Sequence, residues 1–165
     1  MNTVVYPGTF DPVTLGHSDL IERATRLFDR VIVAVAESPR KKPLFELAER
    51  IQLVQQVMAK NSKVEVVGFN CLLTELMQQQ NATIILRGVR GVADFEYELQ
   101  LAQLNRTLAP NLESIFLPPS AHLAFIASTL VREVSSLGGD VSKLVHPYVV
   151  DALQKKYASV RAINL

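Results

Sequence analysis

The sequence predicts an α/β fold: an open parallel sheet of five strands, helices on both faces, and further helices at the C-terminal end. Three observations carry that prediction. Short apolar runs rich in β-branched residues recur at Thr3–Val5, Val31–Ala36, Val64–Val67, Thr83–Leu86 and Ser114–Leu117, as buried parallel strands do. Segments of helical period fall between them, and strand alternating with helix implies right-handed crossovers and a parallel sheet. Clusters of glycine, hydroxyl and basic residues follow the strands, on the rim where open α/β sheets bind ligands.

Each element has a local reason. Thr3–Val5 leads into Tyr6-Pro7-Gly8-Thr9-Phe10-Asp11-Pro12-Val13-Thr14-Leu15-Gly16-His17, and Ser18–Phe28 then places Leu20, Ile21, Ala24, Leu27 and Phe28 on one helical face. Gly8 and Gly16 lack a Cβ, so a nucleotide is expected to approach the backbone closely there, with His17 aimed at its phosphates. Val31–Ala36 hands over to Ser38-Pro39-Arg40-Lys41-Lys42-Pro43, a stiff basic loop. A solvated charge run and an anion site are both open readings of it. Leu44–Ala59 repeats Leu47, Ile51, Val54 and Met58 at helical spacing. Val64–Val67 precedes a shorter helix, Leu72–Gln80.

Thr83–Leu86 runs into Arg87-Gly88-Val89-Arg90-Gly91, two arginines among glycines that can present forked donors to phosphate. The long helix Ala93–Leu108 follows, carrying Phe95, Leu99, Ala102 and Leu108. Asp94 and Glu96 in its first turn suit the helix dipole, while Glu98, further along, is a ligand-binding candidate. Ser114–Leu117 stops at Pro118-Pro119-Ser120. The rest reads as a helix over Ser128–Ser136, a Gly138-Gly139 turn and a last helix over Pro147–Val160, with Pro147 in its first turn. Residues 158–165 are expected to fray.

Bulk properties narrow the function. A chain of 165 residues with 48% hydrophobic content fits one domain, residues 1–165. The net charge of +1 gives no global field for nucleic acid or a membrane surface, so neither is expected as a partner. The single cysteine, Cys71, suits a reducing compartment and reads as a small, partly buried apolar residue. No secretory leader is expected, and no run approaches the roughly 18 apolar residues of a membrane span. The expected location is cytoplasmic.

The clusters supply glycine, hydroxyl, His, Lys and Arg without paired acids, a Cys/His metal cluster or a Ser-His-Asp arrangement. That set suits phosphoryl or nucleotidyl transfer, where positioning and charge stabilisation dominate. G-x-G-x-x-G after the first strand and G-x-x-x-x-G-K-[ST] are both missing, against a dinucleotide-binding dehydrogenase and a P-loop enzyme.

Thr14-Leu15-Gly16-His17, after Tyr6–Pro12, resembles the [HT]-x-G-H signature of the nucleotidylyltransferase superfamily, whose fold is Rossmann-like. Arg87–Arg90 with Asp94–Glu98, and Ile126-Ala127-Ser128-Thr129-Leu130-Val131-Arg132, narrow the resemblance to the bacterial phosphopantetheine adenylyltransferase family over nearly the whole chain. The resemblance implies adenylyl transfer from ATP to 4′-phosphopantetheine, giving dephospho-coenzyme A and pyrophosphate. It implies catalytic roles for His17, Lys41 and Arg90. It implies ATP binding by Thr9, Phe10, His17, Gly88, Val89, Arg90, Glu98, Leu123, Ala124, Phe125, Ile126, Ala127, Ser128 and Thr129. Phosphopantetheine falls to Thr9, Lys41, Leu73 and Arg87. Mg²⁺ is expected to accompany ATP with no metal site of the protein's own, coenzyme A to act as a feedback ligand, and the chain to form a homohexamer. Where the family often reads Ile-Ser-Ser-[ST], Ala127 replaces the first serine. Two alternatives are a related transferase with another phosphorylated acceptor and a non-catalytic nucleotide-binding regulator.

Overall fold

The computed structural model describes residues 2–163, with side chains described through Ser159. Five strands form one sheet: β1 (Thr3–Gly8), β2 (Arg30–Ala36), β3 (Val64–Phe69), β4 (Ile84–Gly88) and β5 (Glu113–Leu117). Their order is β3-β2-β1-β4-β5, and every pairing is parallel. Six helices follow the alternation: α1 (Leu15–Leu27), α2 (Leu47–Met58), α3 (Leu73–Gln79), α4 (Val92–Leu108), α5 (Ser128–Ser136) and α6 (Pro147–Ile163). Single 3₁₀ turns lie at Pro39–Lys41 and Ala121–Leu123.

Strand alternation sorts the core into two layers. Val4, Val31, Val33 and Val35 point to one face, where Leu20, Ile21 and Ala24 of α1, Val54 and Met58 of α2, Val131 of α5 and Val149 and Leu153 of α6 cover them. Val5, Ile32, Ala34 and Ile85 point to the other, against Leu76 and Met77 of α3. Removing each such side chain from water contributes roughly 1.5–3 kcal/mol, and both faces are covered, as all-parallel sheets require. Cys71 is half-buried against the second layer.

The differences from expectation have local causes. β1 continues through Tyr6-Pro7-Gly8, because β2 pairs with it as far as Gly8↔Val35. α1 starts at Leu15 rather than Ser18, because Thr14 caps it; His17 therefore sits inside its first turn. Leu27, placed on one helical face with Leu20, Ile21 and Ala24, is 62% exposed at the end of α1. α4 departs most. Phe95, Leu99 and Leu108 are exposed, and its one buried residue is Glu98. The last helix continues to Ile163, past the residues expected to fray, and Asn164 and Leu165 lie outside the described residues.

One break in the sheet positions the site. β1 and β4 pair only through Val4↔Ile84 and Val5↔Ile85, and then part. β1 is the strand at which the order reverses, so the crevice opens at the topological switch point, beyond the strand carboxyl ends.

Candidate active site

A cavity of about 380 Å³ occupies this crevice. It is lined by Thr9 and Phe10 after β1, His17 of α1, Lys41 after β2, Arg87 and Gly88 at the end of β4 and Arg90 after it, Glu98 of α4, and Leu123, Ile126, Ala127, Ser128 and Thr129 before and within α5. Loops distant in sequence thus converge on one rim. Val89, Ala124, Phe125 and Leu73, also expected in the site, do not line the cavity. The Val89 amide donates to the Leu117 carbonyl, continuing the β4–β5 edge. Phe125 is 65% exposed. Leu73 opens α3 and packs against the second core layer.

His17 is held in a defined tautomer. The Thr14 amide donates to its Nδ1 at 3.0 Å, and the His17 amide donates to Thr14 Oγ1 at 3.4 Å, closing a capping box around the start of α1. An Nδ1 that accepts leaves Nε2–H as the ring's remaining donor. Burial, reinforced by the nearby Arg90 cation, lowers the imidazole pKa from 6.5 to about 4. The ring is therefore neutral at pH 7. Phe10 meets it edge-on at 4.9 Å, and Tyr6 packs against Phe10 at 5.3 Å. Burial raises the Tyr6 phenol well above its ordinary value, so it too is neutral.

Gly8 makes room for this aromatic stack. A Cβ there would stand 2.9 Å from Phe10 Cε2, and Phe10 adopts a left-handed backbone at φ 49° to lay its ring across that position. A Cβ at Gly16 would meet nothing closer than 3.6 Å, and both glycines line the cavity. Gly88 is a tighter case: a Cβ would lie 2.6 Å from Leu20 Cδ1.

The arginines are held by carboxylates. Arg87 forks onto Glu98 with two bonds of 2.5 Å, and its third arm donates to the Pro7 carbonyl at 2.9 Å, bridging the gap where β1 and β4 part. Arg90 pairs with Asp94 at 2.9 Å, so Asp94 does more than complement a dipole. Arg132 pairs with buried Asp11 at 3.3 Å and also donates to the Asp11 carbonyl. Lys41 has no carboxylate partner among the described residues, and its Nζ donates to Thr9 Oγ1 at 3.2 Å. The cradle is thus less cationic than the sequence implies, with Lys41 its uncompensated charge.

The start of α5 supplies donors. Ala127 is its N-cap and has no side chain to accept from the first turn, while the Ser128 hydroxyl donates to the Pro12 carbonyl at 2.8 Å. The amides of that turn keep their donor capacity for an anion in the cavity. Ala127 therefore leaves those backbone donors uncovered by any side-chain cap.

Several positioning residues escaped the sequence reading. Asp11 accepts from the Leu44 and Phe45 amides at 2.8 and 3.0 Å, joining the loop after β1 to the entry of α2. Asp19 accepts from the Ser120 amide and hydroxyl at 2.9 and 2.7 Å, tying α1 to the turn before Leu123. Arg50, fully buried on α2, carries the one signal available in advance: it is a charge at helical spacing within the apolar stripe Leu47-Ile51-Val54-Met58.

Comparison with known proteins follows this geometry. The model of the cytidylyltransferase-like family matches residues 5–134. The chain is 60% identical over 158 residues to the phosphopantetheine adenylyltransferase of Hahella chejuensis (strain KCTC 2396), covering 96% of this chain and 98% of that protein. Two solved structures of the Plasmodium falciparum nicotinic acid mononucleotide adenylyltransferase share the fold at 18% identity. The complex with NaAD has a TM-score of 0.68 over 93% of this chain and 95% of the other. The complex with APC has a TM-score of 0.67 over 93% and 94%.

Proposed function

The chain belongs to the cytidylyltransferase-like family and, within it, to the phosphopantetheine adenylyltransferases; from that premise we propose how its cavity transfers the adenylyl group of ATP to 4′-phosphopantetheine, yielding dephospho-coenzyme A and pyrophosphate. The observation that carries this reading is the convergence of His17, Lys41, Arg90 and the start of α5 on one cavity at the switch point.

The acceptor phosphate lies at Thr9 and Lys41, with Arg87 and Leu73 toward the pantetheine arm. ATP lies across Gly88, Val89 and Arg90 to the start of α5, with Leu123, Ala124 and Phe125 toward adenine. An acceptor phosphate oxygen attacks Pα in line, a new P–O bond forms, and the bond to pyrophosphate breaks. No protein nucleophile takes part. Negative charge grows on the oxygens around Pα and on the departing pyrophosphate. Neutral His17 meets that charge with its Nε2–H, Lys41 with its ammonium, and α5 with its first-turn amides. Donors fixed before the reaction cost no reorganisation as charge develops. Arg90 and Arg87, already held by Asp94 and Glu98, present fixed forks to the two anionic reactants. Holding both reactants together removes about 7–11 kcal/mol of barrier in favourable cases.

Mg²⁺ enters with ATP as part of the substrate. Asp94 and Glu98 are each engaged by an arginine, and Asp11 by Arg132 and two amides, which suits a cation carried on phosphate oxygens.

The working unit is one domain in a homohexamer, and α4 supports assembly: Val92, Phe95 and Leu99 share one exposed face, and Tyr97, Leu104 and Leu108 another. Light scattering showing a monomer at working concentration contradicts it. Coenzyme A, which shares the product's pantetheine arm, acts as a feedback ligand. Among the described residues no helix is long and apolar enough to cross a membrane, and a cytoplasmic location fits the single free cysteine. Pyrophosphate release with ATP and 4′-phosphopantetheine tests the function. ATP binding without release would instead mark a nucleotide-binding regulator, and release only with another phosphorylated acceptor would mark a sister transferase.

A further inference from the structure

Arg50 is 1% exposed, in the first turns of α2, and it spends its donors on main-chain carbonyls rather than on an acid. Its Nε donates to Phe45 O at 2.9 Å. One terminal nitrogen donates to both Thr9 O at 2.8 Å and Ala36 O at 2.6 Å, and the other to Glu37 O at 3.0 Å. These carbonyls belong to three segments. Thr9 follows β1, Ala36 and Glu37 end β2 ahead of the basic turn, and Phe45 precedes α2.

The β1–β2 ladder explains the need. The strands pair in register as far as Gly8↔Val35, and beyond that rung the chains separate. The carbonyls at 9, 36 and 37 flank the split, and the Arg50 fork rejoins them. Immediately above, Thr9 Oγ1 lies 3.2 Å from both Ser38 Oγ and Lys41 Nζ. The guanidinium thus holds the Thr9 carbonyl directly, together with the Ala36 and Glu37 carbonyls and the Phe45 carbonyl that flank the turn carrying Lys41.

We infer that Arg50 is a positioning residue for the acceptor end of the site, setting the Thr9–Lys41 separation and so the approach of the attacking oxygen to Pα. The inference rests on the adenylyl-transfer reading of the cavity. Arginine suits the task because its planar fork carries five donors in fixed directions and stays charged. Lysine keeps the charge and offers three donors from one atom, so it cannot span all four carbonyls.

The test compares Arg50→Lys and Arg50→Gln with the parent enzyme in pyrophosphate release, with folding checked by circular dichroism. In the folded Arg50→Lys protein the KM for 4′-phosphopantetheine should rise and kcat fall, each about tenfold, together the about 10²-fold in kcat/KM that a 1 Å misplacement costs. ATP affinity measured without acceptor should stay within about twofold. Adding Arg50→Lys to Lys41→Ala should cost little more, because both act on one pair; full additivity would mark a generic stability effect. A folded Arg50→Lys enzyme with unchanged acceptor KM and kcat overturns the inference. So does loss of folding in both Arg50 variants, since that side chain would then serve the whole fold. Failure of the parent enzyme to release pyrophosphate strikes the function itself and is thereby distinguished.

Discussion

The turns after β1 and β2 face each other across the acceptor end of the cavity, yet they are built on opposite plans. Residues 10–14 after β1 are all buried, locked by the Phe10–His17 ring contact, the Asp11 bonds to two amides and the Thr14 capping box. Residues 39–42 after β2 are all exposed, in a single 3₁₀ turn flanked by left-handed Ser38 and Lys42. The buried turn fixes a neutral donor whose direction matters. The exposed turn carries a charge on a long stem, whose tip is placed by its root and by the bond to Thr9 Oγ1. In the proposed mechanism His17 on the first plan serves the transition-state charge alone, while Lys41 on the second serves both that charge and capture of the acceptor.

Substituting His17 gives the largest expected effect. His17→Ala should lower kcat about 10²–10³-fold, the usual cost of one preorganised oxyanion donor, with ATP affinity much less affected. Near-normal turnover in a folded variant removes the imidazole from the mechanism and erases the contrast between the turns. Lys41→Ala comes next: the KM for 4′-phosphopantetheine should rise about tenfold, as for one lost charge-assisted contact of about 1.5–3 kcal/mol, with ATP binding little changed. An unchanged response to that substrate returns Lys41 to the solvated surface.

The smallest effect is a titration. His17 is buried neutral, and its pKa falls from 6.5 unfolded to about 4 folded. Between those values the unfolded chain binds the proton and the folded chain does not. The stability from keeping His17 neutral is complete above about pH 6.5 and is lost as pH falls toward 4. Imidazole resonances of the free protein should therefore show a midpoint near 4, with Nδ1 unprotonated at pH 7. A midpoint near 6.5 would mean that the first turn is not closed as described.

Much of this was legible in the chain. The five strand runs, the helix over Ser128–Ser136 and the glycine-bracketed arginines all stand where the sequence put them, because branched apolar runs and turn residues act locally. The α4 helix stands as read, but helical periodicity does not say what covers its apolar residues, and Phe95, Leu99 and Leu108 are exposed. Most of the residues expected in the site line the cavity, though Val89, Ala124, Phe125 and Leu73 do not, and the couplings among them could not be read in advance. The pairing of Arg87 with Glu98 spans 11 positions, and the Arg50 bond to Thr9 spans 41. Such contacts exist only once the sheet has set the strand ends side by side. Gly8 shows the same limit: its missing Cβ makes room for the chain's own Phe10 ring, a neighbour that no turn rule names.

The claim beneath all of this is that fixed donors stabilise a direct displacement, with no bond between enzyme and phosphorus. The stereochemical course at Pα, followed with ATP made chiral at that atom by sulfur substitution, tests it most directly. A single in-line attack predicts inversion of configuration; retention would require two displacements through an enzyme-bound adenylyl group, with His17 as the nucleophile, and would contradict the account.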